Sequence, residues 1–95
     1  MIQPNASFFE SLVDQTLQVT TARGVEPWLV VGVTRRAEHA LRSDQPFDVA
    51  LLAPASNDRQ QGTRACVMPN GETFQFFAVP IAATATGVSF ELVFN

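Results

Sequence analysis

The chain has 95 residues, of which 46% are hydrophobic and 16% charged, with a net charge of −3. That size predicts a single domain over residues 1–95, and the apolar content places it with globular chains. All six basic residues are Arg, so no cationic stripe suited to nucleic acid is present. One Cys and one His rule out an internal disulfide and leave little for a Cys/His metal site.

No apolar run approaches the roughly 18 residues a membrane helix needs. The opening MIQPNASFF shows neither a basic n-region nor an apolar h-region, so the expectation is a reduced, cytoplasmic chain with no secretory leader.

The first predicted element is a short helix over about 7–15, SFFESLVDQ. Ser7 and Glu10 have the spacing of a Ser-x-x-Glu capping box, and Phe8, Phe9, Leu12 and Val13 share one side. Two to three turns do not hold alone in water, so that side must pack on something.

From residue 16 onward the period turns to strand. LQVTTA (17–22) alternates, with Leu17 and Val19 on one face, and Arg23-Gly24 reads as a turn. Pro27 marks the start of a second strand, whose Trp28–Val33 run is apolar on both faces. Gly32 inside it signals a bulge or a close approach under Trp28. Residues 37–43 read as loop, and FDVALLA (47–53) is a third strand with Phe47, Val49 and Leu51 on one face.

PASNDRQQG (54–62) has no apolar period and reads as an exposed loop. TRACVM (63–68) is a fourth strand stopped by Pro69, and Asn70-Gly71 predicts a type I′ hairpin turn. FQFFAVPI (74–81) and VSFELVF (88–94) complete six strands, joined by the small-residue loop AATATG. The predicted core is Leu12, Leu17, Val19, Leu29, Val31, Phe47, Val49, Leu51, Cys66, Phe76, Val79, Phe90, Leu92 and Phe94. Strands apolar on both faces want cover on both sides. The helix can supply one cover, and a partner subunit is the expected source of the other.

Several stretches together resemble a known family. They are Pro46 leading FDVALLAP, Gln61-Gly62, Pro69 with Gly71, FFAVPI (76–81), and Gly87 before FELVFN (90–95). This pattern is similar to that of domain of unknown function 6916, a family of short all-β bacterial proteins. The opening from Phe9 to Val19, a Phe-x-x-Leu-Val helix followed by a strand, agrees with it. The chain departs from the family at Arg64, Cys66 and Met68, where members carry an aromatic, an aliphatic and a His. Any role resting on that His is therefore void here. The resemblance implies a fold rather than an activity. Its association with gene neighbourhoods that hold phage-tail-collar-like proteins implies a structural or assembly role.

No set of residues names a reaction. Cys66 with His39 would need an electropositive, partly open site to act as nucleophile and base, and mid-strand Cys66 reads as a core residue. Asp44, Asp48 and Asp58 lack the spaced oxygen ligands of a calcium loop and read as solvated strand-end acids. The glycines form no phosphate cradle. Phe74, Phe76 and Phe77 resemble a base-stacking platform but lack a cationic groove beside them, and Arg35-Arg36 reads as a solvated edge guard.

The reading is an all-β domain, a six-stranded antiparallel barrel or sandwich, with one short N-terminal helix plugging a side or end. The expected function is a non-enzymatic interaction or assembly module, associated with a phage-tail-like structure. It needs no cofactor or metal, and its partner is an unidentified protein or a further copy of itself, not nucleic acid or membrane. The alternative is a small-ligand-binding barrel. Trp28, Arg59 and Phe77 are the candidate interface or mouth residues.

Overall fold

A computed structural model describes residues 5–35 and 47–94 of the chain. The expected loop at 37–43, with His39, and also Arg36 and Asp44, lie outside the described residues, as does the side chain of Phe94. One helix, α1 (Ala6–Glu10), precedes six strands: β1 (Thr16–Thr21), β2 (Gly24–Arg35), β3 (Phe47–Ala53), β4 (Gly62–Val67), β5 (Thr73–Thr84) and β6 (Gly87–Phe94). The strands close into an antiparallel barrel in the order β1-β2-β3-β6-β5-β4. The closing seam is short, with β1 meeting β4 only at Gln18↔Val67 and Val19↔Cys66.

The barrel closes because period-two alternation gives each strand one apolar face to hide. Leu17 and Val19, Phe47, Val49 and Leu51, Cys66, Phe76, and Phe90 and Leu92 all point inward and are buried, as their alternation predicts. In β2 the inward face is instead Trp28 and Val30, both 0% exposed, while Leu29 is half-buried and Val31 is 51% exposed. This corrects the expected core. The run is apolar on both faces, and Trp28 and Val30 take the inward one; a bulge follows, since pairing with β3 runs Val30↔Leu51 and then Gly32↔Ala50, leaving Val31 as an extra residue. The extra residue flips the parity, so that Val33 again packs against the core. Gly32 thus marks a bulge and not a close approach, since a Cβ there would meet nothing. β5 has a second bulge at Ile81, between Pro80↔Phe90 and Ala82↔Ser89, and Val79, expected in the core, is half-buried.

Turn chemistry recurs at one end of the barrel. β1–β2 and β5–β6 both turn through Thr-Ala-x-Gly, at Thr21–Gly24 and Thr84–Gly87. In each, the Thr hydroxyl accepts from the N–H two residues on and donates to the Gly carbonyl, at 3.1 and 2.8 Å in the first and 3.2 and 3.3 Å in the second. β5 therefore runs through the first half of the expected AATATG loop, to Thr84. The β4–β5 turn is not type I′: Gly71 alone of the pair Asn70-Gly71 has positive φ, at 90°. Pro69 follows Met68, whose carbonyl accepts from Gly71 N–H, as in a type I turn closed by a left-handed glycine.

The two longest strands overhang their neighbours at this end. β3 reaches β2 only from Leu29 onward, and β4 reaches β5 only as far as Ala78. Each overhang contains a proline, Pro27 or Pro80. Val30 N–H donates toward β1, to Gln15 O at 2.9 Å, so by alternation the donor missing at Pro27 would face the open edge.

The opposite end is plugged by α1. Phe9 is fully buried and its ring lies 6.1 Å from Phe47 and 5.9 Å from Phe74, with Leu12 buried behind it. The helix is shorter than expected and its cap is Asn5, whose Oδ1 accepts from Phe8 N–H at 2.8 Å. Ser7, the expected cap, lies within the first turn. It and Glu10 take a different partner, Arg35, which donates to Ser7 Oγ at 3.1 Å and to Glu10 Oε1 at 2.7 Å.

Candidate functional site

Because β3 and β4 stand on opposite sides of the ring, the 54–61 connection must cross the open end of the barrel. It crosses as a lid. Asn57, in the stretch expected to be exposed, is only 5% exposed. Its Nδ2 donates to Glu26 Oε1 at 2.7 Å, and its Oδ1 accepts from Arg59 N–H at 2.7 Å. Trp28 Nε1 donates to the same Glu26 oxygen at 3.0 Å, and Arg23 holds Ser56 O at 2.6 Å. These bonds satisfy the polar groups that a lid over an apolar core would otherwise strand.

Trp28, expected at an interface or mouth, lies beneath this lid. Its ring stacks on Phe90 at 4.3 Å and 22° and leans on Phe76 at 6.1 Å. Arg59 is exposed on the lid with φ 62°, held by the Asn57 contact. Phe77 points outward and is 51% exposed. The three candidates therefore fall in three places: core, lid and outer wall. Phe76 is buried and Phe74 half-buried on the opposite face from Phe77, so the three phenylalanines form no single platform.

Cys66 is buried, and desolvation pushes its thiol up to about 12, offset only in part by a hydrogen bond with the Phe74 backbone. A thiol in that state is a poor nucleophile at neutral pH. Arg35, expected as a solvated edge guard, is exposed and also ties the end of β2 to α1. The Glu10 carboxyl is held below its ordinary value by the hydrogen bond from Arg35, and the Arg35 guanidinium is raised in turn. Asp58 accepts from Gln60 N–H at 3.3 Å within the lid. Among the described residues no three His, Cys, Asp or Glu side chains gather closely enough to hold a metal ion.

The outer wall is uneven. On β3 and β6 the outward positions include Asp48 and Glu91. On β1, β4 and β5 they are Thr, Gln, Ala, Val and Phe with no charged side chain, since Arg64 alternates inward with Cys66. Val67 and Phe77 are exposed there, and Ile81 of the second bulge, 59% exposed, continues the line toward the overhang. Where the β1–β4 seam opens, a groove of ≈ 520 Å³ runs between Asp14, Gln15 and Gln18 on one side and Val67, Met68 and Pro69 on the other. Single-strand alternation marks Gln18, Val67 and Phe77 as outward. Only closure of the ring brings the three strands together, which the sequence alone does not display.

A family model described as a domain of unknown function (DUF6916) matches residues 4–94. The chain belongs to this family. No curated protein and no solved structure matches it. In this DUF6916 domain Arg64, Cys66 and Met68 form the inward column of β4 and its exit. Cys66 and Met68 are buried. Arg64 lies opposite Phe76, and its Nη2 donates to Gln60 O at 2.6 Å in an exposed contact at the end of the lid.

Proposed function

We propose that this DUF6916 domain is a non-enzymatic interaction or assembly module that engages a protein partner through the wall formed by β1, β4 and β5. The observation that carries the proposal is the absence of charge along that wall, together with exposed Val67, Phe77 and Ile81. An exposed apolar patch within an uncharged polar surround is characteristic of a docking surface, because burying it strands no ion. The neighbourhood association carried by the family resemblance favours assembly into a phage-tail-like structure. The compartment that goes with this reading is the cytoplasm, where a free thiol such as Cys66 stays reduced.

The interior supports this reading over a small-ligand barrel. Trp28, Phe9, Phe90, Leu17 and Leu92 fill the barrel from end to end, and the lid and α1 occupy its two openings. Capture of partners from a native extract, by the wild type and two variants, tests the proposal. The expected result is a protein retained by the wild type and by Ala50→Arg on the β3 wall, but lost with Phe77→Arg. Equal retention by Phe77→Arg overturns it.

A further inference from the structure

We propose that the lid end of the barrel is a further docking surface, which takes an acidic segment of a protein partner through Arg23, Arg59 and Arg64. The surface is distinct from the wall of β1, β4 and β5, and its test is independent of that wall. Arg23 sits in the β1–β2 turn and Arg64 near the start of β4, and the lid runs between them. Arg23 Nη1 donates to Ser56 O at 2.6 Å, and Arg64 Nη2 donates to Gln60 O at 2.6 Å. Ser56 and Gln60 are close in sequence, so their carbonyls stand at most about 14 Å apart. Arg59 lies between them and is exposed. Its N–H is fixed by Asn57 Oδ1 at 2.7 Å, while its guanidinium has no partner among the described residues.

Charge is divided unevenly between the two ends. Among the described residues the plug end holds Glu10, Asp14, Asp48 and Glu72 against Arg35, which is paired with Glu10. The lid end reverses this, with Arg23, Arg59 and Arg64 against Glu26 and Asp58. None of these three arginines forms an ion pair among the described residues. Glu26 accepts from Trp28 and Asn57, and Asp58 from Gln60 N–H, so neither carboxylate answers the guanidinium groups. In a chain of net charge −3 this end is therefore the one an anion approaches most easily. Guanidinium groups bind carboxylates through paired N–H donors. Three of them strung along the lid suit an extended ligand with several carboxylates, and about five extended residues cover about 14 Å. A nucleic acid fits less well. Its backbone needs a longer cationic track, and the β1, β4 and β5 wall carries no outward arginine.

A fluorescently labelled hexaglutamate peptide, titrated with the full chain at low salt and followed by anisotropy, tests this. The expected result is saturable binding that weakens as salt is added. Arg59→Gln should weaken it about threefold, and the double variant Arg23→Gln, Arg59→Gln about tenfold. Arg35→Gln, the same charge change at the plug end, should leave it unchanged, and hexathymidylate should bind less tightly. The Arg59 side chain holds nothing in place, so Arg59→Gln reads the surface even if Arg23→Gln loosens the lid. No saturable binding, or binding that Arg59→Gln weakens no more than Arg35→Gln does, overturns the proposal. Tighter binding of hexathymidylate than of hexaglutamate overturns the assignment to an acidic protein segment. Capture through the wall is read separately by Phe77→Arg, so neither result touches the reading of that wall.

Discussion

On the side of the barrel built by β3 and β6, outward positions hold Asp48, Ala50, Ser89 and Glu91. On the side built by β1, β4 and β5, they hold Gln18, Thr20, Ala65, Val67, Gln75 and Phe77. Inward, the two sides cannot be told apart: Leu51 and Phe90 of one meet Val19 and Phe76 of the other in a single core. Packing needs only volume and apolarity, so both sides satisfy it in the same way. The difference is confined to the face that folding leaves free. A face not spent on folding, and lacking the charges that keep a surface apart from its neighbours, is where a partner fits best.

The largest expected effect attacks what the two sides share. Trp28→Ala removes the ring stacked on Phe90 and should cost about 3–5 kcal/mol in urea unfolding, lowering the midpoint without altering the outer wall. Next is Gly87→Ala, at the start of β6. A Cβ there would lie 2.5 Å from Ala53 O and 2.8 Å from Leu52 Cδ1, so β3 and β6 must part, at about 1–3 kcal/mol. If Gly87→Ala is neutral by thermal unfolding, the β3–β6 side is looser than described.

Asn57→Ala should act on the lid rather than on either wall. It removes a donor to Glu26 and the acceptor for Arg59 N–H, a loss of about 1–3 kcal/mol. Trp28 fluorescence should shift to the red well before global unfolding, because the lid opens over an intact barrel. The smallest effect is at Cys66. A folded-state thiol raised to about 12 from an ordinary value of 9.0 adds stability that is fully present below pH 9 and is lost as the pH rises toward 12. At neutral pH a thiol reagent should modify Cys66 only as fast as the chain unfolds. Rapid labelling of the folded protein would show that the β1–β4 seam opens.

Much of this fold can be read from the sequence. Clean alternation in β1, β3 and β6 gives their inward residues directly, and Phe9 and Leu12 announce the plug at one end. β2 resists the same reading because Trp28–Val33 is apolar on both faces and the bulge at Val31 switches parity within the run. The helix cap is ambiguous because Asn5 and Ser7 both offer a side-chain acceptor, and the pairing of Arg35 with Glu10 spans 25 residues. The lid is hidden for another reason: Asn57 is polar in sequence and buried only because Glu26 lies across from it. The shared Thr-Ala-x-Gly turns were a signal available in the sequence, legible from the recurrence of four residues. The uncharged wall was not, because β1 and β4 are distant along the chain and become neighbours only when the ring closes.

Covalent footprinting of side chains with and without the protein captured by the wild type tests the central claim most directly. The account predicts that labelling of Phe77 and Val67 falls when that partner is added, while labelling of Leu52 on the β3 wall stays constant. Constant labelling of Phe77 and Val67, or protection that appears first at Leu52, would contradict it.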